Sequence, residues 1–133
     1  MQDISSGCLD PTMLEVIAQH PLVSYVMMHM RGTPQTMQSE ALTRYGSSSG
    51  PSSVAEDVGL ELDSRIHPAL ESGIEPWRLV VDPGIGFSKT WQDNWTLLRR
   101  LEAFRAKLAS VGSARLPVLV GVSRKRFLRE RIG

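Results

Sequence analysis

Leu79-Val80-Val81-Asp82-Pro83-Gly84-Ile85-Gly86-Phe87-Ser88-Lys89-Thr90 runs from an apolar stretch into a carboxylate, then a glycine-rich turn, then a helix-like pattern. The apolar run reads as a strand buried on both faces, and the whole as a strand-to-helix junction. A carboxylate at the carboxyl end of such a strand lies where parallel α/β sheets place their ligands. Burying it costs free energy unless something pairs with it. Asp82 is therefore expected to have a partner, either a ligand or, on a plainer reading, a backbone amide of its own turn.

The same βα rhythm extends outward in both directions. Before the junction, a short strand ends at Asp3-Ile4. Asp10 is placed to cap a helix, with Pro11 in its first turn and Met13, Leu14, Val16 and Ile17 on its apolar face. His20-Pro21 stops that helix, and a strand over 22–28 is expected to end at His29. The polar stretch 31–50 closes in Gly46-Ser47-Ser48-Ser49-Gly50-Pro51, a surface loop. Val54, Val58, Leu60, Leu62, Ile66 and Leu70 then recur at helical spacing from Ser53, and Gly73 is a fitting stop. A strand over 77–81 leads into the quoted segment. Beyond it, Leu97, Leu98, Leu101, Phe104 and Leu108 predict one helix ending at Gly112. A strand over 116–120 and a last helix from about Arg124 follow.

Short apolar strands alternating with helices predict an α/β fold with a parallel sheet of about four βα units. A closed eight-strand barrel takes about 250 residues, and this chain has 133. It begins on a strand and stops inside a helix. Part of a (β/α)8 TIM barrel, covering 1–133 and truncated at both ends, is therefore expected rather than a small complete sheet.

Composition narrows the function. The net charge is +1, which gives no reason to expect a nucleic acid or an anionic membrane as partner. The basic run Arg124, Lys125, Arg126, Arg129 and Arg131 reads as a helix face or an anion site. The single cysteine, Cys8, permits no internal disulfide. No secretory leader or membrane-length apolar run is read in the chain.

Three turns carry chemistry. The glycine-rich turn fails both nucleotide patterns: a dinucleotide fingerprint needs glycine where Lys89 stands, and a phosphate-binding loop needs glycine where Ser88 stands. In Met28-His29-Met30-Arg31-Gly32-Thr33-Pro34, no second histidine lies at metal-ligand spacing. His29 is expected to be packed and hydrogen-bonded to backbone. In Gly121-Val122-Ser123-Arg124-Lys125, Ser123 lacks a nucleophile-elbow context. A hydroxyl and a lysine there suit an anion or carbonyl, and a solvated Arg-Lys pair is the plainer alternative.

"MHMRGTPQTM", "DPGIGFSKTWQDNWTLLRRL" and "PVLVGVSRKRFL", in this order and spacing, resemble the motifs of dihydropteroate synthase, the folate-pathway transferase; the opening "QDISSG" resembles the family's fourth-strand motif. The longer stretch after the methionine motif is most similar to eukaryotic, particularly fungal, members. The resemblance runs through nearly the whole chain and implies strands four to seven of an eight-stranded barrel. It implies condensation of 6-hydroxymethyl-7,8-dihydropterin diphosphate with 4-aminobenzoate, giving 7,8-dihydropteroate and diphosphate, at a site that sulfonamides target.

The resemblance also implies roles by matched position. Asp82 pairs with the ring N–H and amino group of the pterin, two acceptor oxygens facing two donors. Lys125 is the catalytic lysine, reaching the pterin carbonyl and the aminobenzoate. Met30 and Gly121 lie against the pterin, and Phe87 and Ser123 line the aminobenzoate site. Gln2 stands where the family carries asparagine, and its extra methylene is expected to misplace the amide in a snug pocket. Magnesium would arrive bound to the substrate diphosphate, with no ligand from this chain. Membership of a larger multifunctional folate-synthesis polypeptide, a homodimer, and a cytoplasmic or mitochondrial location are further implications. Two alternatives stand beside the synthase: a pterin- or folate-binding module, and an inactive barrel fragment kept as an assembly piece.

Overall fold

The computed structural model describes residues 1–46, 53–108 and 115–132. Three parallel strands lie in the order of the chain: β1 (Gln2–Asp3), β2 (Tyr25–Met28) and β3 (Leu79–Asp82). Helices α1 (Met13–Gln19), α2 (Glu40–Thr43) and α3 (Ser53–Glu71) and a 3-10 turn (Pro76–Arg78) fill the connections. Helices α4 (Trp91–Arg99), α5 (Leu101–Lys107) and α6 (Arg126–Ile132) follow β3. The register sets Met28 opposite Asp82 and Asp3 opposite Met27, so the strands' carboxyl ends are level. The α/β class and the parallel sheet agree with the sequence reading.

The fourth strand does not form as such. Residues 116–120 make one parallel bridge, Val118 opposite Val81, with hydrogen bonds from Val81 N to the Pro117 carbonyl (2.9 Å) and from Leu119 N to the Val81 carbonyl (2.8 Å). Pro117 has no N–H to offer a ladder, and proline belongs at sheet edges. The segment still occupies the fourth position, beside β3.

Other boundaries move for local reasons. Asp10 caps a turn rather than the helix: its Oδ1 accepts from Thr12 N and Oγ1, and Met13 N donates to its carbonyl, so α1 starts at Met13. The expected strand over 22–28 begins only at Tyr25. Val23 N donates to the His20 carbonyl in a turn around Pro21, and Leu22 stands 97% exposed. The expected strand over 77–81 begins at Leu79, because Pro76–Arg78 coil into a 3-10 turn with Trp77 outside. The single helix expected after the junction is two. Arg100 leaves helical geometry (φ −120°, ψ 34°), and its N–H is shared between the Thr96 and Leu97 carbonyls. The predicted stop at Gly112 and most of the 46–51 loop lie outside the described residues.

The core sits between the sheet and the α3/α5 layer. Val54, Val58, Leu62 and Ile66 of α3 are buried with Tyr25, Met27, Leu79 and Val81 of the strands and with Leu97 and Phe104. Leu60, counted on the apolar face from sequence, is exposed instead. Gly59 lets α3 and α5 touch: a Cβ there would lie 2.7 Å from the Phe104 carbonyl oxygen. The α3 stop is as expected. Gly73 (φ +93°) donates to the Leu70 carbonyl and Ile74 to that of Ala69, the paired bonds of a Schellman end. Arg78, 1% exposed, donates to the carbonyls of Val23, Ile17 and His20 and so ties β3 to the end of α1.

Candidate functional site

The level strand ends open onto a cleft of about 300 Å³. Gln2 and Ile4 come from β1 and its exit, Met28 from the end of β2, and Asp82 from the end of β3. Ile85 and Phe87 come from the glycine-rich turn, Leu119 and Gly121 from the fourth position, and Lys125 from the turn before α6. Residues up to 123 positions apart in the chain, Gln2 and Lys125, thus share one wall because parallel strands bring their carboxyl ends together.

Asp82 is 4% exposed. Its Oδ1 accepts from Gly84 N at 2.8 Å, so the plainer reading of a self-capping turn is part of the answer. Its Oδ2 faces the cleft, where Gln2 Nε2 lies 3.4 Å away, at the long limit of a hydrogen bond. Burial raises the carboxyl above its ordinary value, against the Gly84 amide and the Lys125 and Lys89 cations. The turn after Asp82 depends on Gly84. Its φ is +69°, and a Cβ there would lie 1.9 Å from the His29 carbonyl oxygen.

Lys125 runs across Gly86 and sets its Nζ 4.4 Å from the Phe87 ring centroid, a cation over an aromatic face. Burial lowers its pKa, and Asp82 opposes that shift. The preceding residue, Arg124, holds a left-handed φ of 54°, a conformation that costs energy for a side-chain-bearing residue and here aims Lys125 into the cleft. Lys125 also borders a second cleft of about 530 Å³ on its other side, together with Gln38, Trp91, Asn94, Arg126 and Phe127.

Five of the seven residues singled out from sequence thus converge: Gln2, Asp82, Phe87, Gly121 and Lys125. Met30 and Ser123 do not line this cleft. Met30 is buried, with its carbonyl accepting from Arg65, and Met28 takes the cleft-facing place. Ser123 is exposed. Asp3, adjacent to Gln2, is occupied structurally: it accepts from Ser5 N and Oγ, Gly7 N and the Tyr25 hydroxyl. Burial pushes its carboxyl up, but these bonds outweigh it and hold the pKa below the ordinary value.

His29 is buried as expected, but its ring partners are side chains rather than backbone. Nε2 lies 2.9 Å from Glu61 Oε2 and Nδ1 lies 3.0 Å from Lys89 Nζ. Glu61 also pairs with Arg31. These partners lie 32 and 60 residues from His29, and nothing in local spacing links them. The available signals were a lysine inside a glycine-rich turn and a glutamate between Val58 and Leu62 on α3. Among the described residues, no group of three or more His, Cys, Asp or Glu gathers as a metal site.

The fold and cleft define an α/β protein with a ligand site at the carboxyl ends of parallel strands, built to offer acceptors on one side and a cation over an aromatic ring on the other. The model of a family described as pterin binding enzyme matches residues 1–132. A mitochondrial folate synthesis bifunctional protein of Pisum sativum is 42% identical over 132 residues, covering 98% of this chain and 24% of that protein. The dihydropteroate synthase of Synechocystis sp. is 39% identical over 128 residues, covering 96% of this chain and 39% of that enzyme. Among solved structures, dihydropteroate synthase from Thermus thermophilus in complex with 4-aminobenzoate superposes with a TM-score of 0.78 at 36% identity, covering 99% of this chain and 46% of that one. The chain belongs to the pterin-binding enzyme family. It spans about a quarter of the length of the bifunctional relatives it matches. No described helix is long and apolar enough to cross a membrane.

Proposed function

We propose that the chain is the pterin- and aminobenzoate-binding part of a dihydropteroate synthase, corresponding to strands four to seven of its barrel. The observation that carries this reading is the convergence of Gln2, Asp82, Phe87, Gly121 and Lys125 on one cleft. Asp82 offers an acceptor oxygen that its own turn leaves facing the cleft, suited to the ring N–H and amino donors of a pterin. Gln2 adds an amide at the same edge. Lys125 donates to the pterin carbonyl, and its cation sits where the Phe87 ring forms the flat wall for an aminobenzoate. With diphosphate departing from the pterin methylene, the amine attacks the electron-poor carbon. In this step the chain binds and orients, and Lys125 places positive charge beside the pterin carbonyl.

Magnesium is proposed to arrive with the diphosphate as part of the substrate. The chain is proposed to act within a larger folate-synthesis polypeptide, as the names of its bifunctional relatives suggest, with a homodimer as the assembly. A mitochondrial setting follows the names of two of those relatives, and a cytoplasmic one is its alternative. Incubating the chain with both substrates and magnesium, and titrating 6-hydroxymethylpterin and 4-aminobenzoate separately, tests the reading. Binding of both ligands is expected. Binding of the pterin alone favours a pterin-binding module, and binding of neither refutes the assignment.

A further inference from the structure

Lys89 is the residue that breaks the dinucleotide pattern in the sequence, and the chemistry proposed above leaves it without a task. It is 3% exposed. Its Nζ lies 3.0 Å from His29 Nδ1, 3.1 Å from the Gly84 carbonyl oxygen and 2.9 Å from that of Phe87. An ammonium has three N–H donors and no acceptor, so these three acceptors use it completely. The first acceptor is fixed from further back. The Glu61 carboxylate only accepts, so His29 Nε2 carries the ring proton towards it and Nδ1 presents a lone pair to Lys89. Arg31 in turn holds Glu61. Burial and the Lys89 cation lower His29 to about 3, which keeps the imidazole neutral and accepting at pH 7. Burial lowers Lys89 itself to about 7, with Glu61 and Asp82 opposing.

The two carbonyls belong to the turn that forms the cleft. Gly84 caps Asp82 with its N–H, and Phe87 supplies the ring beneath Lys125. Ser88, between Phe87 and Lys89, is fully buried in a left-handed conformation (φ 49°), and its Oγ accepts from Arg31 N. The turn is therefore held against the end of β2 from below, while its upper face lines the cleft.

We propose that Lys89 is a positioning residue: its three donors fix the turn 84–87 against His29, and thereby set where Asp82 and Phe87 stand in the cleft. The bearing on ligands rests on the synthase reading above; the fixing of the turn does not. Lys89→Met keeps most of the stem and removes every donor. Backbone amide exchange at Gly84, Gly86 and Phe87 is expected to rise by roughly tenfold or more, the factor one charged hydrogen bond contributes. Exchange in α3 and α5 should stay within about twofold, because a local opening does not require the core to open. The dissociation constant for 6-hydroxymethylpterin should rise by roughly tenfold as well.

Unchanged exchange over 84–87 overturns the proposal. So does an increase spread evenly through α3 and α5, which marks a merely structural lysine, and so does a loosened turn with unaltered pterin affinity. A loosened turn in a protein whose wild type binds no pterin leaves the fixing of the turn standing and removes the synthase reading. If Lys89→Met does not fold, the wild type decides by NMR. One of the chain's three lysines should show a slowly exchanging Nζ signal in mildly acidic buffer, with cross-peaks to Gly84 and Phe87. Its absence overturns the proposal.

Discussion

Alanine at position 84 should damage this protein far more than alanine at position 73, although both glycines have positive φ. Gly73 sits at +93° with nothing within 4 Å of where an added methyl group would stand, so Gly73→Ala incurs only the left-handed backbone term. That term is about 1–2 kcal/mol. Gly84 sits at +69°, and its methyl would stand 1.9 Å from the His29 carbonyl oxygen. Main chain, not a flexible side-chain tip, must move to relieve that contact. The move separates the turn from the end of β2 and stretches the Gly84 N–H bond to Asp82 and the Lys89 bond to the Gly84 carbonyl. Each buried hydrogen bond lost costs about 1–3 kcal/mol. Gly84→Ala is therefore expected to cost about 2–4 kcal/mol more than Gly73→Ala. Urea unfolding of the two variants beside wild type measures the difference directly, because the shared backbone term cancels. Equal losses, or a larger loss at Gly73, would refute the argument that the turn is wedged against the His29 carbonyl. The same Gly84 variant should also weaken pterin binding, since Asp82 loses the amide that orients it.

Arg78→Met should cost at least about 3 kcal/mol, because it strands the carbonyls of Ile17, His20 and Val23 that the buried guanidinium serves; thermal melting checks this. Acid should destabilise the fold progressively below pH 6.5. His29 falls from its ordinary 6.5 to about 3 in the folded state, so only the unfolded chain takes up that proton as pH drops through this window. Burial raises Glu61, but its bonds to His29 and Arg31 outweigh that and bring it from 4.5 to about 2. Its contribution is complete above 4.5 and is lost as pH falls towards 2. A pH series of unfolding curves should show both limbs, and Glu61→Gln should flatten the lower one.

The sequence made the elements legible wherever an apolar pattern met a turn signal, as at the end of β3 in Val81-Asp82-Pro83-Gly84 and at the end of α3 at Gly73. It misled where main-chain hydrogen bonding overrode periodicity. Leu22 looks like the start of a strand, yet the Pro21 turn leaves it in solvent. Pro117 looks like the middle of a strand and permits only a bridge. The cleft was legible because its wall residues lie at the carboxyl ends of strands or in the turns after them, and a parallel sheet aligns strand ends without needing any side-chain contact. The layer beneath it was not. Lys89, His29, Glu61 and Arg31 meet through partners on separate elements, and no periodicity encodes a bond between residues 29 and 89. Met30 and Ser123 are the two matched positions that lie off this cleft. β2 ends at Met28, and the chain beyond it leaves the strand, so Met28 rather than Met30 meets the cleft.

Titration of 6-hydroxymethylpterin into wild type and Asp82→Asn, followed by pterin fluorescence, tests the pterin assignment most directly. Asparagine keeps an oxygen for the Gly84 N–H and so preserves the turn, but it replaces a charged acceptor facing the cleft with an amide. Wild type should bind, and the variant should lose about 2–4 kcal/mol of affinity, the scale of a charge-assisted pair replaced by a mismatched donor. Equal affinity in the two proteins would contradict the assignment of Asp82 as the pterin's partner.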